Sequence, residues 1–247
     1  MIHQKFDLTI VIPAYKEAKR IGSTLDKLSV FLKKDPTIKK LNIEVLVVSA
    51  DSLDDTHEIV RKKTNKFTNM RLLKPGKRVG KGRDVKYGMD RAKGNCIVFM
   101  DADLATPLKY LPIFYDIHNS GIDIVIATRN LLKHHSNFSR RFVSNIGNFL
   151  FRLAGGVWVE DSQCGFKMFS KKASKECFNK LKILGWGFDM EILAIAKANK
   201  LSIKSVRVDD WESVPEGTFT EGLLNNSINS LKELGIILWR RISGQYF

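Results

Sequence analysis

Asp101-Ala102-Asp103 follows directly on the apolar run Cys96-Ile97-Val98-Phe99-Met100. In an extended segment, residues two apart point to the same side, so both carboxylates can face one hard divalent cation at a strand's exit. An ion held there could bridge a nucleotide diphosphate and stabilise it as a leaving group. The bland alternative is that the same carboxylates cap a helix starting near Pro107, a residue that suits a first helical turn. A second constellation is Gly80-Lys81-Gly82. Its glycines let backbone approach a phosphate and its ammonium neutralises one, although such a tripeptide is more commonly a surface turn. A third is the stretch between Asp123 and Glu160, which contains no acid but holds Arg129, Lys133, Arg140, Arg141 and Arg152. Guanidinium forks of this kind suit phosphate oxygens.

These residues need elements to position them. Leu8 to Ile12 is a short apolar run stopped by Pro13, and Ile21, Leu25, Leu28 and Leu32 follow at helical spacing. The alternation repeats: a strand at Ile43 to Val48, a helix from about Asp54, a strand at Met70 to Leu73, a helix near Arg83 to Ala92 and a strand at Cys96 to Met100. A helix from Pro107 and a strand at Ile122 to Ala127 complete it. Short apolar strands alternating with helices predict an α/β fold with a mostly parallel, Rossmann-like sheet. Ligands of such sheets sit beyond the carboxyl ends of the strands, after Ile12, Val48, Met100 and Ala127.

After Ala127 the rhythm changes. Phe138, Phe142, Ile146 and Phe149 share one helical face beside Arg140 and Arg141, and a basic, aromatic tail contains Trp239, Arg240 and Arg241. Such a face either packs on the core or lies in a lipid interface. No linker or repeat divides the chain, so residues 1–247 read as a single domain, with about 219–243 forming a peripheral carboxyl-terminal helix.

With 247 residues, 44% of them hydrophobic and 27% charged, the chain can bury roughly 70–75% of its unfolded surface. Three cysteines, Cys96, Cys164 and Cys177, are too few for a disulfide framework and fit a reducing cytoplasm. Cys164 reads as a small buried hydrophobe, and His134 and His135 lack the further ligands of a zinc site. No apolar run is long enough to cross a bilayer. The excess of 41 Lys and Arg over 26 Asp and Glu, +15, predicts an anionic partner. An anionic membrane surface fits it better than nucleic acid, because the basic residues interleave with an apolar helical face and no nucleic-acid reader module is present.

Taken in order, IVIPAYKEAKRI (10–21), GKRVGKGRDVKYGM (76–89) and DADLATP (101–107) resemble the family 2 glycosyltransferases of GT-A fold. EDSQCGFKMF (160–169) and GWGFDMEILAIA (185–196) are similar to segments of the polyprenyl-phosphate sugar transferases within that family, with the dolichyl-phosphate glucosyltransferases nearest. The resemblance covers about residues 6–218. It implies inverting transfer of a hexose from a nucleotide-diphosphate sugar, UDP-glucose ahead of GDP-mannose, to a polyprenyl or dolichyl phosphate at the cytoplasmic, inner face of the membrane, where the protein would sit peripherally. Asp101 and Asp103 would hold Mg²⁺ or Mn²⁺, with Asp103 catalytic. Pro13, Ala14, Tyr15, Glu17, Asp51, Lys81 and Asp101 would hold the nucleotide. Arg129, Arg140 and Arg141 would hold the acceptor phosphate, and Gln163 the sugar. Asp161 is the candidate base should the acceptor be a glycan or protein hydroxyl, and a non-catalytic basic scaffold is the remaining alternative.

Two features depart from the family pattern. Where relatives carry V-V-D-D-G-S-x-D, this chain has Val47-Val48-Ser49-Ala50-Asp51-Ser52-Leu53-Asp54. Both consecutive acids are gone, and Asp51 stands one position late to replace them. Pro215-Glu216-Gly217-Thr218-Phe219 also lacks a lysine that related enzymes place after the last strand.

Overall fold

The computed structural model describes residues 5–129, 152, 154–211 and 223–247. Among them, seven strands form one sheet: β1 (Phe6–Pro13), β2 (Ile43–Val48), β3 (Met70–Leu73), β4 (Gly94–Met100), β5 (Ile124–Arg129), β6 (Phe166–Ser170) and β7 (Ile203–Val208). Their order is β3-β2-β1-β4-β6-β5-β7. The helices are α1 (Ile21–Lys34), α2 (Thr56–Lys63), α3 (Lys81–Met89), α4 (Tyr110–Asn119), α5 (Lys171–Lys180), α6 (Phe188–Ala198) and α7 (Leu223–Ile242).

The inner strands β1, β2, β4 and β5 read as largely apolar runs because helices cover both faces of the sheet there. Ile10 and Ile12 join Leu25 and Leu28 of α1 and Phe114 of α4 in one layer. Val11, one residue out of phase, joins Val85 and Met89 of α3 and Phe188 of α6 in the other. Leu25 and Leu28 are fully buried, and each contributes roughly 1.5–3 kcal/mol. Helix α1 stops at Lys34 because Asp35 precedes Pro36, which forces Asp35 into the extended region (φ −62°, ψ 129°). The hydroxyl of Ser170 accepts from Ala173 N at 3.0 Å and starts α5.

Going outward from β1, β2 and β3 lie to one side and β4 to the other. The strand order therefore reverses between β1 and β4, which opens a crevice at their carboxyl ends. Strand β6 runs antiparallel between β4 and β5, with Phe166 opposite Met100. Because β6 begins where its neighbours end, residues 161–165 arrive at that same edge. Strand β7 runs parallel to β5, with Val208 opposite Arg129, and delivers Asp209 to Trp211 there as well.

Helix boundaries differ locally from the sequence reading. Helix α4 begins at Tyr110, after a turn in which Tyr110 N donates to Pro107 O at 3.1 Å. Helix α3 starts at Lys81, two residues earlier than expected, and α2 starts at Thr56. Arg140, Arg141, the face Phe138 to Phe149, His134, His135 and Pro215 to Phe219 lie outside the described residues. Among the described residues, no helix is long and apolar enough to cross a membrane.

Candidate active site

Asp101 leaves β4 with its N–H donating to Gly165 O at 3.0 Å, so β6 fixes its backbone. Its carboxylate fills the space that Gly165 leaves: a Cβ at that position would lie 1.9 Å from Asp101 Oδ2. Lys81 Nζ, on the first residue of α3, lies 2.6 Å from Asp101 Oδ1. Burial works to lower the Lys81 pKa, but the charges of Asp101 and Asp189 and the hydrogen bond to Asp101 outweigh it and raise it. The ammonium also sits 5.5 Å from the centre of the half-exposed Trp186 ring.

The glycines beside Lys81 make room for the chain's own backbone. Gly82 N and Arg83 N donate to Gly185 O and Leu184 O at 3.3 and 3.1 Å. A Cβ on Gly80 would sit 2.2 Å from Leu184 O, and one on Gly82 would sit 2.6 Å from the Phe188 Cβ. Thus the backbone that approaches Gly-Lys-Gly is the chain's own 184–185 segment. That contact seats Lys81 against Asp101.

Asp103 lies in the loop that follows, with Oδ1 accepting from Ala105 N at 3.0 Å. This realises the capping alternative only as a turn, since α4 starts seven residues later. Burial, then the charge of Asp101, raises the Asp103 pKa despite that hydrogen bond. The next residue, Leu104, has φ +55°, and Lys16 in the loop after β1 has φ +56°. Non-glycine residues in this region are strained, and here they flank both loops of the crevice.

A cleft of about 90 Å³ is lined in part by Asp101, Asp103, Thr106, Arg129, Gln163 and Trp211. Asp161, only 3% exposed, grips Arg129 with two oxygens: Oδ2 lies 2.5 Å from Nε and Oδ1 lies 3.0 Å from Nη2. Arg129 N and Gln163 N also donate to this carboxylate. Burial works to raise the Asp161 pKa, but the hydrogen bonds and charge of Arg129, aided by Lys167, hold it below the ordinary carboxylate range. The indole of Trp211 lies 5.3 Å from the Arg129 guanidinium carbon.

At the β1 exit, Ala14 N donates to Val48 O at 2.8 Å. Arg78 lies 4.6 Å from the centre of the Tyr15 ring and pairs with buried Asp84. Glu17 holds Arg20 at 2.8 and 2.9 Å, while burial raises its pKa. Asp54 accepts from Ala18 N at 3.1 Å and from the Thr56 hydroxyl, which in turn accepts from Glu17 N. Ser49 and Ala50 are buried, whereas Asp51 is exposed with its N–H on Gly76 O at 3.0 Å. Pro13, Ala14, Tyr15 and Glu17 thus lie at the β1 exit and Asp51 follows β2, whereas Asp101, Asp103, Arg129 and Gln163 line the cleft.

Sequence reading did not single out Trp211, Trp186, Lys167 or Asp189. Trp211 follows β7, whose exit meets this edge, but the alternating charges of β7 hide that strand in the sequence. Lys167 is fully buried, with Nζ 2.5 Å from Asp189 Oδ1 and 2.6 Å from Cys164 O, and so braces the segment that carries Gly165.

Among the described residues, no three His, Cys, Asp or Glu side chains cluster as a metal site. Two carboxylates at a strand exit, one seated in a hollow left by glycine, nevertheless match the oxygen-donor chemistry of a hard cation that takes its remaining ligands from a substrate and water.

Comparison with known proteins bears on this arrangement. A dolichyl-phosphate beta-glucosyltransferase of Trichomonas vaginalis is 32% identical over 218 residues, covering 83% of this chain and 64% of that protein. One of Dictyostelium discoideum is 30% identical, over 96% of this chain and 75% of that protein. The human enzyme of that name is 29% identical, over 84% and 68%. The chain thus spans about two thirds to three quarters of these relatives. Glucosyl-3-phosphoglycerate synthase from Mycobacterium tuberculosis superposes with a TM-score of 0.65 at 18% identity, over 93% of this chain and 80% of that one. A mannosyltransferase from Pyrobaculum calidifontis, in complex with GDP-Man and Mn²⁺, gives 0.60 at 20% identity, over 88% and 59%. The architecture is the GT-A fold expected from the motifs. The profile described as Glycosyl transferase family 2 matches residues 9–178, more than half of the 247-residue chain. This chain belongs to glycosyl transferase family 2.

Proposed function

We propose that the chain, acting as one domain, transfers glucose from UDP-glucose to a dolichyl or other polyprenyl phosphate with inversion, at the cytoplasmic face of a membrane. The observation that carries this reading is the Lys81–Asp101 pair, 2.6 Å apart at a strand exit, with Asp101 lining one cleft with Arg129. The relatives' shared name supplies the acceptor class.

Asp101 and Asp103 would hold Mg²⁺ or Mn²⁺, which when bound supplies positive charge to a diphosphate leaving group. Lys81, kept charged, adds an ammonium beside the same diphosphate. Pro13, Ala14, Tyr15, Glu17 and Asp51 would hold the nucleoside, and Gln163 a sugar hydroxyl. Arg129 spends two of its five N–H donors on Asp161 and keeps three for an acceptor phosphate, with Arg140 and Arg141 completing that role.

Asp161 is the feature that discriminates between acceptors. A hydroxyl acceptor needs a base whose pKa lies near neutrality, whereas a phosphate monoester arrives already anionic. Asp161 is held below the ordinary range and accepts from four N–H groups, so it suits positioning Arg129 rather than removing a proton. This observation favours the phosphate.

The test is a panel of nucleotide sugars, UDP-glucose and GDP-mannose included, offered with a short polyprenyl phosphate and scored by the mass of the lipid product. UDP-glucose should give a hexosyl lipid phosphate, and Asp103→Ala should abolish it. Full activity in Asp103→Ala would remove the cation from the account. Product with peptide or glycan hydroxyls alone would overturn the acceptor.

A further inference from the structure

Helix α7 turns one side to the core and a different kind of side outward. Leu234 and Ile237 are buried, and Arg240 reaches buried Glu191, which also accepts from Lys182 N, Ile183 N and the Tyr246 hydroxyl. At 100° per residue, Leu238, Trp239 and Ile242 fall on the opposite arc, with Ile236 at its margin. They are 41%, 61%, 75% and 44% exposed. Exposed Lys232 lies on the same arc. The helix's single acid, Glu233, points inward and accepts from Gly187 N at 3.0 Å.

The adjoining surface has the same character. Arg241 donates to Ala154 O at 3.3 Å and abuts Gly156, and two residues on, Trp158 is 73% exposed with the Arg152 guanidinium 5.8 Å from its ring. Scattered exposed apolar residues are ordinary, but a continuous arc of aliphatic and indole side chains rimmed by cations marks an interaction surface.

We infer that this arc is a docking surface for an anionic phospholipid bilayer, with α7 lying in the plane of the interface. Three observations select that occupant. Among the described residues of α7 the outward arc carries no acid, exposed Glu160 beside Trp158 being the nearby exception, and the whole chain carries +15. Indoles with a polar tip and an apolar body suit the headgroup boundary. The third is rigidity. Glu233 on Gly187 N and Arg240 on Glu191 clamp α7 to the 182–187 segment, whose Leu184 and Gly185 carbonyls hold the amino end of α3 beside Lys81. A docked α7 thus fixes the crevice at a set orientation to the lipid. The choice of a bilayer as occupant rests on the proposed lipid acceptor, but vesicle binding is measured without turnover, so the two readings fail separately.

The experiment is co-sedimentation of the full chain with phosphatidylcholine vesicles and with vesicles that also contain phosphatidylserine, alongside Trp239→Gln and Leu238→Gln/Ile242→Gln. These side chains face outward, so melting temperatures should stay near wild type. Wild type should bind the anionic vesicles, more weakly as salt rises, and each variant should bind on the order of tenfold less. Hexose transfer to a water-soluble, short-chain acceptor should be unchanged in the variants. Equal vesicle binding by wild type and variants, or none by wild type, overturns the inference. So does a concentration-dependent dimer that the same substitutions dissolve, because the arc would then seat a second copy of the chain.

Discussion

Gly165→Ala tests the placement of Asp101 with a single methyl group. Gly165 does not have a positive φ, so its backbone accepts alanine and the consequence lies in contact alone. The new Cβ would fall 1.9 Å from Asp101 Oδ2 and 2.3 Å from Cγ, against an ordinary contact starting near 3.4 Å. The carboxylate must therefore withdraw by about 1.5 Å, past the roughly 1 Å misplacement that costs about 10²-fold in rate. It can do so, being the end of a side chain that is 33% exposed, but it then leaves Lys81 Nζ. Loss of that partly exposed pair costs about 1 kcal/mol of stability, whereas a 100-fold loss in kcat/KM is about 2.7 kcal/mol of transition-state stabilisation. Product formation followed by mass, beside circular-dichroism melting, separates the two effects. The expected result is a small drop in Tm with kcat/KM reduced at least 100-fold, and Asp101→Asn should match it in rate without the steric insult. Activity within threefold of wild type in both variants would refute the assignment of Asp101 to the site.

Two further substitutions probe the supports of the crevice. Lys167→Ala leaves the Asp189 carboxylate buried without its cation, and urea unfolding should show a loss of about 3–5 kcal/mol. The double change Lys167→Met/Asp189→Leu should recover most of it, and a single-variant cost under about 1 kcal/mol would rule out the pair as a brace. Asp161→Asn should cost about 2 kcal/mol near neutrality, less than a fully buried pair because Arg129 is 30% exposed. Its folded pKa lies below the unfolded value near 4, so the wild-type advantage is complete above about pH 5 and is lost as pH falls through the folded value. A difference that grows on acidification would contradict that sign.

The parallel half of the sheet was readable chiefly because β1, β2 and β4 are largely apolar runs ended by Pro13, Ser49 and Asp101, and burial on both faces demands such runs. Asp101, Asp103 and Lys81 were readable as separate motifs. Their meeting was not, because Gly165 and the 184–185 backbone that seat them lie about 60 and 100 residues further along the chain. Strand β6 escaped notice for a similar reason: Lys167 interrupts its apolar pattern and reads as exposed until Asp189 supplies its buried counter-charge. Strand β7 carries alternating charges on a largely exposed edge, so neither it nor Trp211 stood out. The outward and inward sides of α7 could not be told apart by hydropathy, since Arg240 is the buried residue and Trp239 the exposed one.

On the proposed reading, the altered acids after β2 change what kind of wall a nucleobase meets. Ala50 is fully buried and the Ser49 hydroxyl is turned toward Ala50 O, so this stretch packs beneath the loop and offers no carboxylate where the family pattern has one. The chain instead spends Asp54 on Ala18 N and Thr56, which ties the loop after β1 to the start of α2. Above it lies the Tyr15 ring, backed by Arg78, whose charge is already committed to Asp84. An aromatic face supported by a neutralised guanidinium offers stacking, and stacking separates one base from another far less sharply than a buried hydrogen-bonding group does. Selection of a base then falls to backbone groups around Ala14 and to exposed Asp51, whose backbone is fixed by Gly76 O. On this reading the catalytic edge is seated by the Gly165 hollow and the buried Lys167–Asp189 pair, and the base wall by the Arg78–Asp84 pair and the Asp54 hydrogen bonds.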